Sequence, residues 1–247
     1  MPTFRAIVLI MLIRKRNSAH NLRVEIKQIS KRIKSRTLRV LDVGAGGGGI
    51  WNEIAQDNWL EQQGLQLEVT LFDPILSDNV VDGKGIKISR RLGFAPEGLS
   101  SFSNKEFDLV TAFDVLEHLP KHAGYSLLYE LDRLSENSIV RVPNGFLWQA
   151  PFTGNPHQAH ISAWKPGELR AVGWRRQFGE SGPPALVGVG ALPKFLWSTN
   201  PLRRLSVPFE KAIIEAFCYF LFFLPRAHIN FLAIKRTRNV NLETDYF

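Results

Sequence analysis

An apolar run, Leu38-Arg39-Val40-Leu41-Asp42-Val43, leads into Gly44-Ala45-Gly46-Gly47-Gly48-Gly49, after which Ile50-Trp51-Asn52-Glu53-Ile54-Ala55 opens as a helix. A strand that turns at once into a helix needs residues without a Cβ. Glycines let the backbone enter left-handed regions, and they leave amides at the helix N-terminus free to face a ligand. The rest of the chain repeats the alternation. Leu67 to Phe72 reads as a second strand ending at Asp73-Pro74, and a weaker strand lies near Ile86-Lys87-Ile88. Phe107 to Phe113 reads as a strand, His122 to Ser135 as a helix, and Ser138 to Val142 as a strand stopped by Pro143-Asn144-Gly145. Strands alternating with helices imply parallel pairing and a three-layer α/β sandwich of Rossmann-like kind. Ligands in such sheets bind beyond the carboxyl ends of the strands.

The glycine cluster satisfies G-x-G-x-x-G, which a dinucleotide and S-adenosylmethionine both use. Asp42 separates the two. A carboxylate two residues before the first glycine repels a pyrophosphate and favours the ammonium of an amino-acid moiety, directly or through water. Asp73 reads either as a turn cap or as the acceptor for two ribose hydroxyls, which both cofactors require. The two acids together favour the sulfonium cofactor.

Over residues 38–180 the chain resembles class I S-adenosylmethionine-dependent methyltransferases that act on small molecules, of the type 11-like kind. Val40-Leu41-Asp42-Val43-Gly44-Ala45-Gly46-Gly47-Gly48 is similar to the first motif of that family, and Phe72-Asp73-Pro74 to its second. Phe107-Asp108-Leu109-Val110 with Asp114-Val115-Leu116-Glu117-His118-Leu119 resembles the fourth-strand motif, and Val142-Pro143-Asn144-Gly145 the fifth-strand exit. His160-Ile161-Ser162-Ala163-Trp164, Glu168-Leu169 and Gly173-Trp174 resemble the approach to the sixth strand. The resemblance implies a mostly parallel seven-stranded sheet with an antiparallel last strand, S-adenosylmethionine as cofactor, and methyl transfer as activity. It implies cofactor contacts from Asp42, Gly44, Ala45, Gly46, Gly48, Asp73, Pro74, Asp114 and Val115. The acidic residue usual after the third strand is missing; Leu92-Gly93-Phe94-Ala95-Pro96-Glu97 stands there, with Phe94 offered as a stacking surface for adenine or as a core aromatic.

Methyl transfer from a sulfonium releases a neutral leaving group, so positioning and exclusion of water carry much of the catalysis. A base is needed for weak nucleophiles such as hydroxyls. His160 is the first candidate base, with His118 and His157 behind it; Asn144 and Gln149 are expected to face the acceptor. Asp114, Glu117 and His118 fall at i, i+3 and i+4 and would share one helix face. The cluster resembles the divalent-metal set of some quinone and RNA-end methyltransferases, but the same residues occur in relatives without a metal. No metal is expected, and Asp114, Glu117 and His118 are the weak candidate set.

The chain carries a net charge of +8. Residues 1–36 hold ten basic residues and one acid, so the basicity belongs to one segment and residues 37–247 are nearly neutral. That distribution argues for a basic amphipathic N-terminal arm on an ordinary domain and against a nucleic-acid-binding surface. Leu22, Ile26, Ile29 and Ile33 fall at helical spacing among the basic residues; the segment reads as a helix on the domain edge or as a contact for anionic lipid. An apolar helical insert is expected near 185–227, within which residues 212–224 hold one charge and are too few to span a bilayer comfortably. They would cap the acceptor pocket or lie in a membrane interface. A lone cysteine, Cys218, excludes an internal disulfide framework. The expected function is methyl transfer to a small or lipid-linked acceptor, the target atom O, N or C. The alternatives are an NAD(P)-dependent oxidoreductase and a non-catalytic membrane-associated module with a relic cofactor fold. The expected location is the cytoplasm, with peripheral contact at the inner membrane face.

Overall fold

The computed structural model describes residues 18–77, 82–151, 155–174, 176–180 and 230–236. The chain divides into two compact units, one of residues 18–178 with 232–247 and one of residues 1–17 with 179–231. Of the second unit, the described residues are strand ends, 179–180 and 230–231.

The elements in chain order are α1 (Ser18–Ile33), β1 (Thr37–Val43), α2 (Gly49–Ala55), α3 (Trp59–Gln63), β2 (Gln66–Asp73), β3 (Ile86–Leu92) and β4 (Leu109–Phe113). There follow α4 (Lys121–Leu134), β5 (Asn137–Pro143), α5 (Pro166–Ala171), β6 (Arg176–Glu180) and β7 (Asn230–Arg236). The strand order is β3-β2-β1-β4-β5-β7-β6. β1 pairs in parallel with β2 and β4, β2 with β3, and β4 with β5. The sheet is mixed, mostly parallel with an antiparallel last strand, and the fold is Rossmann-like.

Because a strand alternates its faces, Leu38 and Val40 point one way and Leu41 and Val43 the other. All four are buried, as parallel strands covered on both faces must be. Leu38 and Val40 join Leu67, Val69 and Leu71 of β2 in a core closed by Leu22, Ile26 and Ile29 of α1, Trp51 and Ile54 of α2, and Leu60 of α3. On the opposite face α4 packs against β4 and β5 and buries Leu127, Leu131 and Leu134. The result is the expected three layers.

α1 is a helix on the domain, one of the two readings the sequence offered for this segment. Leu22, Ile26 and Ile29 of its apolar stripe lie in the core, each buried side chain contributing about 1.5–3 kcal/mol, while Ile33 is exposed. Its charges are engaged as well. Arg23 donates through Nη2 to the carbonyls of Glu53 (2.7 Å), Ile54 (3.1 Å) and Gln56 (3.2 Å), satisfying the orphan carbonyls at the end of α2. Arg32 donates to the Asn137 side chain at 2.8 Å. Glu25, buried, pairs with Arg236 of β7, which also donates to Gln28 Oε1 at 2.7 Å. Lys27, Lys31 and Lys34 stay exposed. A boundary at residue 36 therefore cuts through the domain: 18–33 is one of its load-sharing helices. Residues 1–17 and the expected insert at 185–227, with its 212–224 run, lie outside the described residues. Among the described residues no helix is long and apolar enough to cross a membrane.

Ile26 is fully buried. Ile26→Ala should lower stability by about 2–5 kcal/mol in urea titration, whereas a helix belonging to a detached arm would tolerate the change within experimental error.

Candidate active site

The glycine turn sits at the carboxyl end of β1. Gly44, Gly46 and Gly48 have φ of 70°, 49° and 64°, the left-handed region that a Cβ penalises. A Cβ on Gly44 would lie 2.3 Å from Val115 Cγ2, so the turn rests against the exit of β4. A Cβ on Gly46 would meet nothing within 4 Å, so the turn is open on that side. Asp73, the last residue of β2, braces it. Its Oδ2 accepts from the Gly46 amide at 2.9 Å and its Oδ1 from the Ile75 amide at 2.8 Å. Each carboxylate oxygen has a second lone pair for a hydroxyl donor. Pro74 and Ala45 are half-buried beside it, and Gly48 is buried.

Asp42 lies beneath the turn and does not open into it. It is 3% exposed. Trp51 donates its indole N–H to Oδ2 at 2.7 Å and Thr111 its hydroxyl to Oδ1 at 2.6 Å. Burial pushes its carboxyl up to about 6 against those two hydrogen bonds, with Asp73 adding repulsion. Asp42 is thus a buried carboxylate under the turn, bonded to Trp51 and Thr111.

Asp114 also departs from expectation. It has φ 56°, left-handed for a residue with a side chain, and 116–118 is a single 3₁₀ turn. The three residues therefore do not share the face of one α-helix. Arg141 of β5 grips the Asp114 carboxylate with Nε (3.0 Å) and Nη2, donates Nη1 to Ser18 Oγ at 2.6 Å, and lies over the Phe113 ring at 5.3 Å. Arg141 was not singled out in the sequence, although an arginine inside the apolar run Ser138 to Val142 was a visible signal.

What joins Glu117 and His118 is His160. The Ile161 and Ser162 amides donate to the Glu117 carbonyl at 2.8 and 3.1 Å, and Ser162 Oγ and Trp164 Nε1 donate to the Leu116 carbonyl at 2.9 and 3.0 Å. These bonds lay the 160–164 segment along the 116–118 turn. The His118 and His160 rings meet edge to face with centroids 4.8 Å apart. Their Nδ1 atoms bond to the carbonyls of Ala159 (3.0 Å) and Leu147 (2.6 Å). One nitrogen of each ring, together with a Glu117 carboxylate oxygen, falls within 4.8 Å of the others. Glu117 is 2% exposed, and burial, then the Asp114 charge, pushes its carboxyl up to about 8. Burial pushes His118 down, against its bond to Ala159.

Trp164 holds the segment in place. It is fully buried, with Lys121 Nζ 3.7 Å from its ring centroid. Phe94 is exposed after β3, edge-on to His157 at 5.2 Å. Gln149 turns back to the Gln158 carbonyl at 2.7 Å, and Asn144 is exposed after β5. Leu92, Phe146, Trp148 and Ile161 are exposed on the same exits and on the 160–164 segment, Trp148 at 73%.

A Cβ on Gly124 of α4 would lie 2.3 Å from Trp164 Cζ2. In a helix Ala normally gains about 1 kcal/mol over Gly, but overpacking costs about 1–3 kcal/mol. Gly124→Ala should therefore destabilise the protein and shift the His160 ring signals in NMR spectra; a stabilised variant with unmoved signals would contradict the packing described.

Among proteins of known structure, the chain is similar to an S-adenosylmethionine-dependent methyltransferase from Archaeoglobus fulgidus, 17% identical, covering 93% of this chain and 99% of that one with a TM-score of 0.47. It is similar to a putative sarcosine dimethylglycine methyltransferase from Galdieria sulphuraria, 14% identical over 89% and 84% of the two chains, TM-score 0.47. It is also similar to the Burkholderia thailandensis 1,6-didemethyltoxoflavin-N1-methyltransferase with bound S-adenosylhomocysteine, 15% identical over 92% and 81%, TM-score 0.44. No curated protein matches the sequence. The assignment rests instead on a family model described as a methyltransferase domain, which matches residues 14–138. That match takes in half of the chain, α1 and the glycine turn included, and the chain therefore belongs to the methyltransferase-domain family, as a class I methyltransferase with S-adenosylmethionine as its cofactor.

Proposed function

We propose that this protein transfers the methyl group to a small or lipid-linked acceptor of apolar character. The observation that carries the reading is the left-handed glycine turn braced by the Asp73 carboxylate and open over Gly46, with exposed apolar side chains after β3 and β5. The residues fit the cofactor. The turn offers backbone approach without a Cβ, Asp73 keeps lone pairs for ribose hydroxyls, and Asp42 supplies a negative potential for an ammonium without contact. When bound, S-adenosylmethionine supplies a methyl group on a sulfonium that leaves as a neutral thioether.

The remaining work falls to the chain. Gly44, Ala45, Gly46 and Gly48 would line the methionine end, and Asp73 and Pro74 the ribose. Phe94 would stack on adenine, while Asp114 and Val115 would close the site from the β4 exit. Phe146, Trp148 and Ile161 would hold an apolar acceptor and keep water out. His160, with His118 behind it, would take a proton at Nε2 from an acceptor that needs deprotonation. This is supported by the Nδ1 bonds to backbone carbonyls, which leave each Nε2 with its lone pair. An NAD(P)-dependent oxidoreductase and a non-catalytic membrane module have no support.

Calorimetry of the pure, folded protein should give saturable binding of S-adenosylhomocysteine, weakened about tenfold or more in Asp73→Ala; no binding by folded wild type overturns the assigned site. The pH dependence follows from Asp42. Its folded-state value of about 6 lies above the ordinary carboxylate range, so the charge that attracts the cofactor is present above that value and lost as pH falls through it. Affinity for S-adenosylmethionine should drop about threefold to tenfold between about pH 7 and pH 5, and Asp42→Asn should flatten the profile at the low value. The same raised value means that burial of the charge costs folding stability above the ordinary carboxylate range, and this cost is relieved as pH falls.

A further inference from the structure

Asp114 follows β4 in a conformation that side chains disfavour, with φ 56°, and Arg141 of β5 holds it there. The Asp114 amide donates to the Arg141 carbonyl at 2.9 Å, and Arg141 returns two bonds to the carboxylate, from Nε at 3.0 Å and from Nη2. One residue thus fixes both the backbone and the side chain of the other. A two-pronged pair sets the direction of a carboxylate as well as its charge, which a lysine cannot do. The guanidinium is itself fixed, by Ser18 Oγ of α1 at 2.6 Å and by the Phe113 ring at 5.3 Å. The side chains of Arg141 and Asp114 are 26% and 38% exposed, so the pair lies at the rim of the strand exits and not in the core. Burial pushes up the carboxyls of Asp42 and Glu117, and the Arg141 charge opposes that push at both.

The residue after Asp114 carries the consequence. A Cβ on Gly44 would lie 2.3 Å from Val115 Cγ2, so Val115 is the surface on which the first glycine of the turn rests. The left-handed step at Asp114 leads directly into that contact. We propose that Arg141 is a positioning residue for the methionine end of the cofactor, acting through Asp114 and Val115 and not by touching the reacting atoms. The role rests on the cofactor seat proposed above. It separates from a purely structural role in one respect: loss of Arg141 is felt by the amino-acid end of the ligand, and not by the ribose and adenine that Asp73 and Phe94 would hold.

The test uses the full chain with S-adenosylhomocysteine and with methylthioadenosine, which keeps the adenine, ribose and sulfur and lacks the amino-acid end. In calorimetry Arg141→Lys and Arg141→Gln should each bind S-adenosylhomocysteine about tenfold or more weakly than wild type and leave methylthioadenosine binding unchanged. In wild type the Arg141 Nε–H resonance should shift in ¹H–¹⁵N spectra when S-adenosylhomocysteine binds and stay in place with methylthioadenosine. Folded wild type that binds neither ligand overturns the cofactor seat, and this role with it. Wild-type binding of S-adenosylhomocysteine that either variant matches, or a loss that falls on both ligands alike, overturns the role of Arg141 alone. Should a variant fail to fold, or methylthioadenosine bind too weakly to measure, the wild-type resonance decides: movement with S-adenosylhomocysteine supports the role and an unmoved signal overturns it.

Discussion

A carboxylate shut away from water is costly unless its oxygens are bonded, and Asp42 is the buried carboxylate around which the glycine turn of this protein is assembled. Its two partners come from different elements, Trp51 from the helix that follows the glycine turn and Thr111 from the neighbouring strand. One side chain therefore fixes β1, α2 and β4 relative to one another, directly below the turn. The turn above can then be made almost wholly of glycine, a choice that would otherwise leave it conformationally loose. Asp73 applies the same device from the rim, where its carboxylate takes the amides of Gly46 and Ile75.

The seam between the 116–118 turn and the 160–164 segment depends on a different bond set. The 116–118 turn and the 160–164 segment are far apart in sequence, and four hydrogen bonds onto two adjacent carbonyls, those of Leu116 and Glu117, bring them together. Trp164 is wedged behind the seam against Gly124, where a methyl group would not fit. Two of these bonds are donated by backbone amides and two by the Ser162 hydroxyl and the Trp164 indole, so the position of His160 depends on the path of the chain and on those two side chains together.

This division explains what the sequence made legible. Strands covered on both faces read as largely apolar runs with few interruptions, and β1, β2, β4 and β5 are legible within a residue or two of their ends. The glycine turn and Asp73 announced themselves because few residue types can do their work. The role of α1 was harder to read. Ten basic residues near the N-terminus look like a solvated arm until Arg23 is seen on the carbonyls of α2 and Arg32 on Asn137, partners about thirty and a hundred residues away. Helical spacing suggested that Asp114, Glu117 and His118 work together. The left-handed φ of Asp114 and its grip by Arg141 break that face, and neither has a local sequence signal. That His160 comes to stand beside Glu117 and His118 follows from bonds to backbone carbonyls, which no side-chain pattern encodes.

The pair of Glu25 and Arg236 has a bearing on how the chain is made. α1 is the first helix described and β7 the last strand, and 211 residues separate the two partners. A ribosome releases α1 long before Arg236 exists, so a nascent chain carries the acid of Glu25 beside an apolar stripe with neither the last strand nor its guanidinium at hand. Contacts of such high sequence separation are slow to form and leave early segments open to wrong pairings. The Glu25–Arg236 contact is thus made only after residue 236 has been synthesised, when β7 returns to α1.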